Sequence, residues 1–316
     1  MPLHTDAESP RIAVFGAGAV GCYFGGMLAR AGLPVTLIGR AQHVEAIRAR
    51  GLFLDTLQFQ QSISVTAATT PEAARDADVV LFCVKSYDTE TAARSLAPHL
   101  SPSALLVSLQ NGVDNVVRIE VATGRHALPA VVYVAAAMAG PGHVKHSGQG
   151  RLVVGRLPEQ PPELDQRAAQ LATLFQSAGV PCEVSKNIQG ELWAKLVINC
   201  AGNAVSALTR ASYARAAAHE PAREVMMATA REAIAVARAA GVALPAADLV
   251  EKGLQLAHSL GPATSSTEQD IARGKRTEID ALNGFIVQRG RALGVPTPVN
   301  HTLWALVKLL ETSLAG

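Results

Sequence analysis

Lys195, Asn199 and Asn203 stand at four-residue intervals inside the otherwise apolar segment ELWAKLVINCAGN, residues 191–203. On a helix that spacing puts the three side chains on one face. Asn is a poor helix former and a buried polar stripe needs partners, so the face either lines a cleft or meets bulk water. Leu192, Trp193, Leu196, Val197, Ile198 and Cys200 crowd the remaining faces, which favours the cleft. An ammonium in a cleft can stabilise negative charge growing on a carbonyl oxygen and then protonate it. Two further groups belong to this chemistry. A polar cluster, SSTEQD at 265–270, precedes KRTEID at 275–280, where Glu278 could orient Lys195 or anchor a ligand. The same carboxylate would also suit a helix N-terminus, where the macrodipole favours it.

A second constellation lies near the start of the chain. The β-branched and apolar residues 12–15 run into Gly16-Ala17-Gly18-Ala19-Val20-Gly21 and then into a stretch of helical periodicity. In that context G-x-G-x-x-G is a phosphate cradle. Gly16 makes the tight turn, Gly18 admits a pyrophosphate, Gly21 allows close packing of helix on strand, and the helix N-terminus faces the anion. A dinucleotide is the natural ligand. At the end of the next strand, about twenty residues on, a carboxylate would bind a ribose 2′-hydroxyl. This chain has Gly39-Arg40 instead. A guanidinium there suits a 2′-phosphate, which favours NADP(H) over NAD(H); the alternative is a solvated surface cation.

The elements that must position these residues change character near residue 185. Before it, strand-like runs at 11–16, 34–38, 77–84, 104–108, 130–134 and 151–155 alternate with helical stretches at 20–31 and 89–100. That rhythm predicts a doubly wound, mostly parallel α/β sheet, the Rossmann architecture. After it, Ala- and Leu-rich stretches at 189–201, 220–240, 246–257, 268–273, 279–293 and 300–314 predict an all-helical region, with Gly241, Gly294 and Pro296 as stops. Two domains are therefore expected, residues 1–186 and 187–316. The Gly-rich segment GPGHVKHSG at 140–148 is expected to be a loop, with His143 and His146 on a surface turn. Trp193 and Trp304 are expected in the core.

Composition limits the function further. With 49% hydrophobic residues in 316, the chain can bury far more apolar surface than a disordered one. Its 28 basic residues nearly balance 26 acidic ones, so nothing favours a nucleic acid or an anionic membrane. Neither a signal segment nor a long uncharged apolar stretch stands out, and the expected setting is the cytoplasm. Cys22, Cys83, Cys182 and Cys200 form no C-x-x-C pair, and the nine histidines show no metal-ligand spacing, so no metal centre is expected. The apolar C-terminal helices suit either a homodimer or an intramolecular core.

GAGAVG (16–21), FCVKSYD (82–88), LQNGVDN (109–115), GPGHVKHSG (140–148), ELWAKLVINC (191–200), SSTEQDI (265–271) and RTEIDALNG (276–284), in this order, resemble the ketopantoate (2-dehydropantoate) 2-reductase family. The resemblance spans most of the chain. It implies a Rossmann domain followed by a helical domain of the 6-phosphogluconate-dehydrogenase-like type, and the NADPH-dependent reduction of ketopantoate to pantoate, as in pantothenate biosynthesis. Lys195 resembles the proton-donating lysine, and Asn199, Asn203, Ser265 and Ser266 resemble substrate-binding residues. Glu278 resembles the active-site glutamate near the nicotinamide ribose. Arg40 resembles the 2′-phosphate reader, Lys85 and Asn111 the cofactor and active-site contacts, and Ala136 a backbone contact to the nicotinamide. Ala263, Thr267 and Glu268 depart from the family pattern near the substrate's distal hydroxyl. They leave open another small 2-oxo acid as substrate, while a non-catalytic NADP(H)-responsive regulator is the rival from a different class.

Overall fold

Short apolar runs form most of the central sheet because strands covered by helices on both faces need side chains that bury on both. A computed structural model describes residues 9–313. Its strands are β1 (Ile12–Phe15), β2 (Val35–Ile38), β3 (Leu52–Asp55), β4 (Gln60–Ile63), β5 (Thr66–Ala68), β6 (Val79–Phe82), β7 (Leu105–Ser108), β8 (Ala127–Gly140), β9 (His143–Val154) and β10 (Cys182–Val184). The sheet order is β4-β3-β9-β8-β7-β6-β1-β2-β5, with β10 against β9. The half from β8 to β5 is parallel throughout, and β3 pairs antiparallel with β4. Helices α1 (Ala19–Arg30), α2 (Ala41–Arg50), α3 (Thr89–Leu96), α4 (Asn115–Thr123) and α5 (Glu163–Ser177) connect the strands. Val14, Phe24, Leu37, Leu81, Val107 and Phe175 are among the buried side chains of this core.

One expectation is corrected here. GPGHVKHSG is not a loop: only Pro141 and Gly142 turn the chain, and β8 and β9 pair antiparallel on either side. His143 and His146 therefore lie on β9, and His146 stacks on Tyr23 with ring centroids 4.4 Å apart. The glycines mark irregularities within a hairpin. The register shifts at Tyr133/Val134, opposite Gln149 and Gly150, which both have positive φ, and again at Ala135/Ala136, where Ser147 is passed over.

The second unit is helical. It comprises α6 (Ile188–Thr209), α7 (Tyr213–Ala218), α8 (Glu220–Ala239), α9 (Leu249–Ser259), α10 (Ser266–Ala272), α11 (Asn283–Leu293) and α12 (Pro298–Thr312). By contacts between residues, the first unit runs to Gln110 and resumes over Asp114–Ile188, while Asn111–Val113 group with the helical unit. Trp193 and Leu196 of α6 pack with Ile234 of α8 and Ile286 of α11, and Trp193 meets Phe285 edge-on. A buried polar network crosses this apolar interior. Asn283 Nδ2 donates to the Cys200 carbonyl and to Asn300 Oδ1, and Asn300 donates to Glu232, which also accepts the Val299 amide. Through these bonds Asn283 and Asn300 tie α6, α8, α11 and α12 to one another.

Candidate active site

In the first unit the Gly16–Gly21 segment is fixed by backbone contacts that side chains would block. Gly16 has φ +114°, and a Cβ there would lie 2.6 Å from the Cys83 carbonyl carbon and the Val84 nitrogen. A Cβ on Gly21 would lie 2.2 Å from the Gly16 oxygen. Gly18 differs: its Cβ would meet nothing within 4 Å, and it precedes α1 with no side chain capping the helix. The cradle therefore combines tight packing behind with open space in front at a helix N-terminus, which is the shape a diphosphate needs. Ala17 is buried against Gly39, while Ala19 and Val20 begin α1. Arg40 is exposed at the head of α2, directly after β2, where a 2′-phosphate reader would stand.

Lys85 follows β6 at the start of a single 3-10 turn, Ser86–Asp88. The loops after β6 and β7 are tied by Gln110, whose Nε2 donates to the Val84 carbonyl at 3.1 Å and to Thr89 Oγ1 at 2.7 Å. Thr89 in turn donates to Asn115 Oδ1. Gln110 and Asn115 of the LQNGVDN segment thus hold the strand ends where doubly wound folds bind ligands. Ala136 sits on β8 at one of the hairpin's irregularities, paired with His146.

In the helical unit, Lys195, Asn111 and Glu278 come together. Lys195 Nζ donates to Asn111 Oδ1 at 3.0 Å, and Asn111 Nδ2 donates to Glu278 Oε2 at 3.3 Å. Asn111 is therefore a bridge between cation and carboxylate. Its amide has a donor end and an acceptor end, so it serves both partners without changing protonation. Burial pushes the Lys195 ammonium down to about 8, and the negative charge of Glu278 opposes that fall. A lysine in that range can give up its proton near neutral pH and recover it from water.

Asn199 and Asn203 follow Lys195 on α6 at the spacing read from the sequence. Asn203 is buried and its Oδ1 accepts from the Tyr213 hydroxyl at 2.8 Å. Ser265 is completely buried; its hydroxyl donates to the Asn203 carbonyl and accepts from the Glu268 amide. Its hydroxyl thus serves the fold, and Ser266 is the exposed serine at the start of α10. Glu268 stands three residues after Ser265 in a capping-box position and pairs with Arg210 at 3.2 Å. Thr267 is buried. Of the departures at this segment, Thr267 is taken up in packing and Glu268 in an ion pair with Arg210.

Sequence models of two ketopantoate reductase domains match the chain, the PanE/ApbA domain over residues 12–159 and its C-terminal domain over 187–311. The chain belongs to the ketopantoate reductase family. A 2-dehydropantoate 2-reductase of Halobacterium salinarum is 34% identical over 306 residues, covering 95% of this chain and 99% of the relative. One from Pyrococcus horikoshii is 33% identical over 97% of this chain and 99% of the relative. Among solved structures, a PanE/ApbA family ketopantoate reductase from Ralstonia eutropha superposes with a TM-score of 0.90 at 50% identity, covering 97% of this chain and 100% of the other. A D-mandelate dehydrogenase solved with NADH and anilino(oxo)acetate has a TM-score of 0.89 at 26% identity, covering 97% and 100%.

In this family member the segment carrying Glu278 is pinned from both sides by α12. The Thr277 amide and hydroxyl both donate to Glu311 Oε1, at 2.7 and 2.6 Å. Trp304 donates its indole N–H to Asp280 Oδ1 at 2.8 Å, and Lys308 bonds Asp280 Oδ2. Trp304 is thus half-buried with its polar edge in use, where the sequence suggested plain core. A Cβ on Gly284 would sit 2.9 Å from that indole nitrogen, which accounts for the glycine of RTEIDALNG. These supports escaped the sequence reading because Glu311 and Lys308 resemble ordinary surface charges of a C-terminal helix. The i, i+3 spacing of Lys308 and Glu311 was the one local signal.

Proposed function

We propose that the protein reduces 2-dehydropantoate to pantoate with NADPH, and that Lys195 is the proton donor. The observation that carries this reading is the Lys195–Asn111–Glu278 chain: a desolvated ammonium held by a neutral amide beside a carboxylate. When bound, the nicotinamide supplies a hydride to the carbonyl carbon. Lys195 then stabilises and protonates the developing alkoxide, while Asn111 fixes the direction of its N–H bonds. Asn199 and Ser266 would bind the 2-oxo acid. The cradle residues Gly16–Gly21, with Arg40, Lys85, Asn111, Ala136 and Glu278, would bind the cofactor, and Arg40 would select the 2′-phosphate. Among the described residues no helix is long and apolar enough to cross a membrane.

The primary test is loss of NADPH absorbance with purified protein and ketopantoate. Turnover supports the reading, and its absence with NADPH bound refutes it. Replacing Arg40 by alanine is expected to raise KM for NADPH by about tenfold to a hundredfold, the worth of one charge-assisted contact, and to change KM for NADH little. An equal rise for both cofactors would remove Arg40 from the 2′-phosphate. The pH profile has a defined sign. Reduction needs the ammonium, so kcat/KM for the 2-oxo acid should fall as pH rises through about 8. Oxidation of the hydroxy acid needs the free amine and should rise over the same range. Profiles of the two directions that run in parallel would exclude Lys195 as the titrating group.

A further inference from the structure

The segment that carries Glu278 is short and irregular, with a single 3-10 turn, Ile279–Ala281, between α10 and α11. A turn of three residues forms few hydrogen bonds of its own, so the direction of the Glu278 side chain depends on what holds the chain on either side. That support comes from α12. One oxygen of the Glu311 carboxylate accepts both the Thr277 amide, at 2.7 Å, and the Thr277 hydroxyl, at 2.6 Å. The other oxygen pairs with Lys308 Nζ at 2.8 Å, and Lys308 reaches on to Asp280 Oδ2 at 3.0 Å. Glu278 therefore stands between two residues that are both tied to α12. Lys308 neutralises the Glu311 charge, so what Glu311 contributes at Glu278 is placement and not field.

The next contact shows how exact that placement must be. Asn111 Nδ2 lies 3.3 Å from Glu278 Oε2, at the long end of the N–H···O range. A displacement of the carboxylate by about 0.5 Å opens this bond, and the amide that bonds Lys195 Nζ is then held at one end only. A released carboxylate turns toward water, where its charge does less to oppose the effect of burial on Lys195. Thr277 transmits the constraint in the other direction too. Its hydroxyl accepts the Ile279 amide at 3.2 Å, and both Thr277 and Ile279 are buried, so a shift at Thr277 passes to the far side of Glu278.

We propose that Glu311 is a positioning residue for proton transfer at Lys195, acting through Thr277 on Glu278 and Asn111. The inference rests on the proposed role of Lys195 and adds to it a residue of α12 outside the Lys195, Asn111 and Glu278 chain.

A mutant cycle read by pH profile as well as by rate provides the test, with the full chain, NADPH and ketopantoate. In Glu311→Ala, kcat should fall by about tenfold to a hundredfold, the effect of misplacing a catalytic group by about 1 Å. The descending limb of kcat/KM should also move to lower pH by about half a unit, a fraction of the shift a fully placed opposite charge exerts. Glu311→Gln keeps an oxygen for the Thr277 amide and hydroxyl and should restore most of kcat. In a Glu278→Gln background the limb has already moved, and adding Glu311→Ala should move it no further. A melting curve accompanies each variant. Should Glu311→Ala not fold, Thr277→Val, which removes one of the two bonds to Glu311, should move the limb the same way by less. A limb that neither Glu311→Ala nor Thr277→Val moves, or that moves as far again in the Glu278→Gln background, overturns the positioning role while Lys195 stays the proton donor. Glu311→Gln as slow as Glu311→Ala overturns it likewise. A parent with no turnover, or with no descending limb near 8, overturns the reading of Lys195 and this inference together.

Discussion

Replacing Lys195 by alanine is expected to lower kcat/KM for the 2-oxo acid about a thousandfold, while the dissociation constant of NADPH stays within about threefold. A positioned general acid contributes on the order of 10² to 10⁴ in rate, and the same ammonium also stabilises the developing oxyanion. The cradle residues assigned to the cofactor's phosphates belong to the other unit of the chain, which is why affinity for NADPH should survive. Equilibrium binding followed by cofactor fluorescence, beside steady-state kinetics, separates the two quantities. An equal loss of both would mean that Lys195 serves binding and not proton transfer.

The companion substitutions have opposite diagnostic signs. Glu278→Gln removes the negative charge that opposes the effect of burial, so the Lys195 proton should be lost below about 8 and the descending limb of the pH profile should move to lower pH. Asn111→Ala leaves that charge in place and removes the hydrogen bond to Nζ. It should reduce kcat more than it moves the profile. A lysine that merely filled space would leave the shape of the pH profile untouched in both variants.

The two constellations differ in how far the sequence alone exposed them, and the reason is distance along the chain. G-x-G-x-x-G and the Lys195, Asn199, Asn203 spacing are local patterns, with turn chemistry in the first and helical period in the second, so neighbouring residues suffice to see them. Asn111 is a different case. It stands 84 positions from Lys195, and no local pattern says that one amide joins lysine to carboxylate. Distance hides the roles of Glu311 and Trp304 too: Trp304 reads as core from its apolar helical face, and nothing local shows that its indole and the Glu311 carboxylate support the Glu278 segment.

The sheet shows the other limit. The central strands were visible as apolar runs, but β4 (QQSI) is largely polar and β5 (TAA) is three small residues, and pairing at the sheet's ends is what makes them strands. In β9 the glycines that suggested a loop serve irregular pairing within a hairpin. Burial patterns reveal strands whose side chains are buried on both faces, whereas pairing partners decide the rest.

Two glycines of the cradle, three residues apart, should respond to the same added methyl in opposite ways. In Gly21→Ala the new Cβ would fall 2.2 Å from the Gly16 oxygen and 2.9 Å from Val14 Cγ1, so α1 must move away from β1. Overpacking of this kind costs about 1–3 kcal/mol, and contact with a rigid backbone oxygen puts it at the upper end, about 3 kcal/mol. Tm should fall by about 5–10 °C, with NADPH affinity falling alongside as the cradle distorts. Gly18 has φ −90° and ψ −169°, which alanine adopts freely, and its Cβ meets no protein atom within 4 Å. Gly18→Ala should therefore keep Tm within about 2 °C, yet raise the dissociation constant of NADPH by about tenfold or more, because the methyl occupies the space assigned to the pyrophosphate. Thermal melting and NADPH titration of both variants check this pair. Unchanged NADPH affinity in Gly18→Ala would show that the open space in front of α1 is not where the phosphates bind. A destabilised Gly18→Ala would instead make that glycine a packing residue like Gly21, leaving the cradle's front wall to be sought elsewhere.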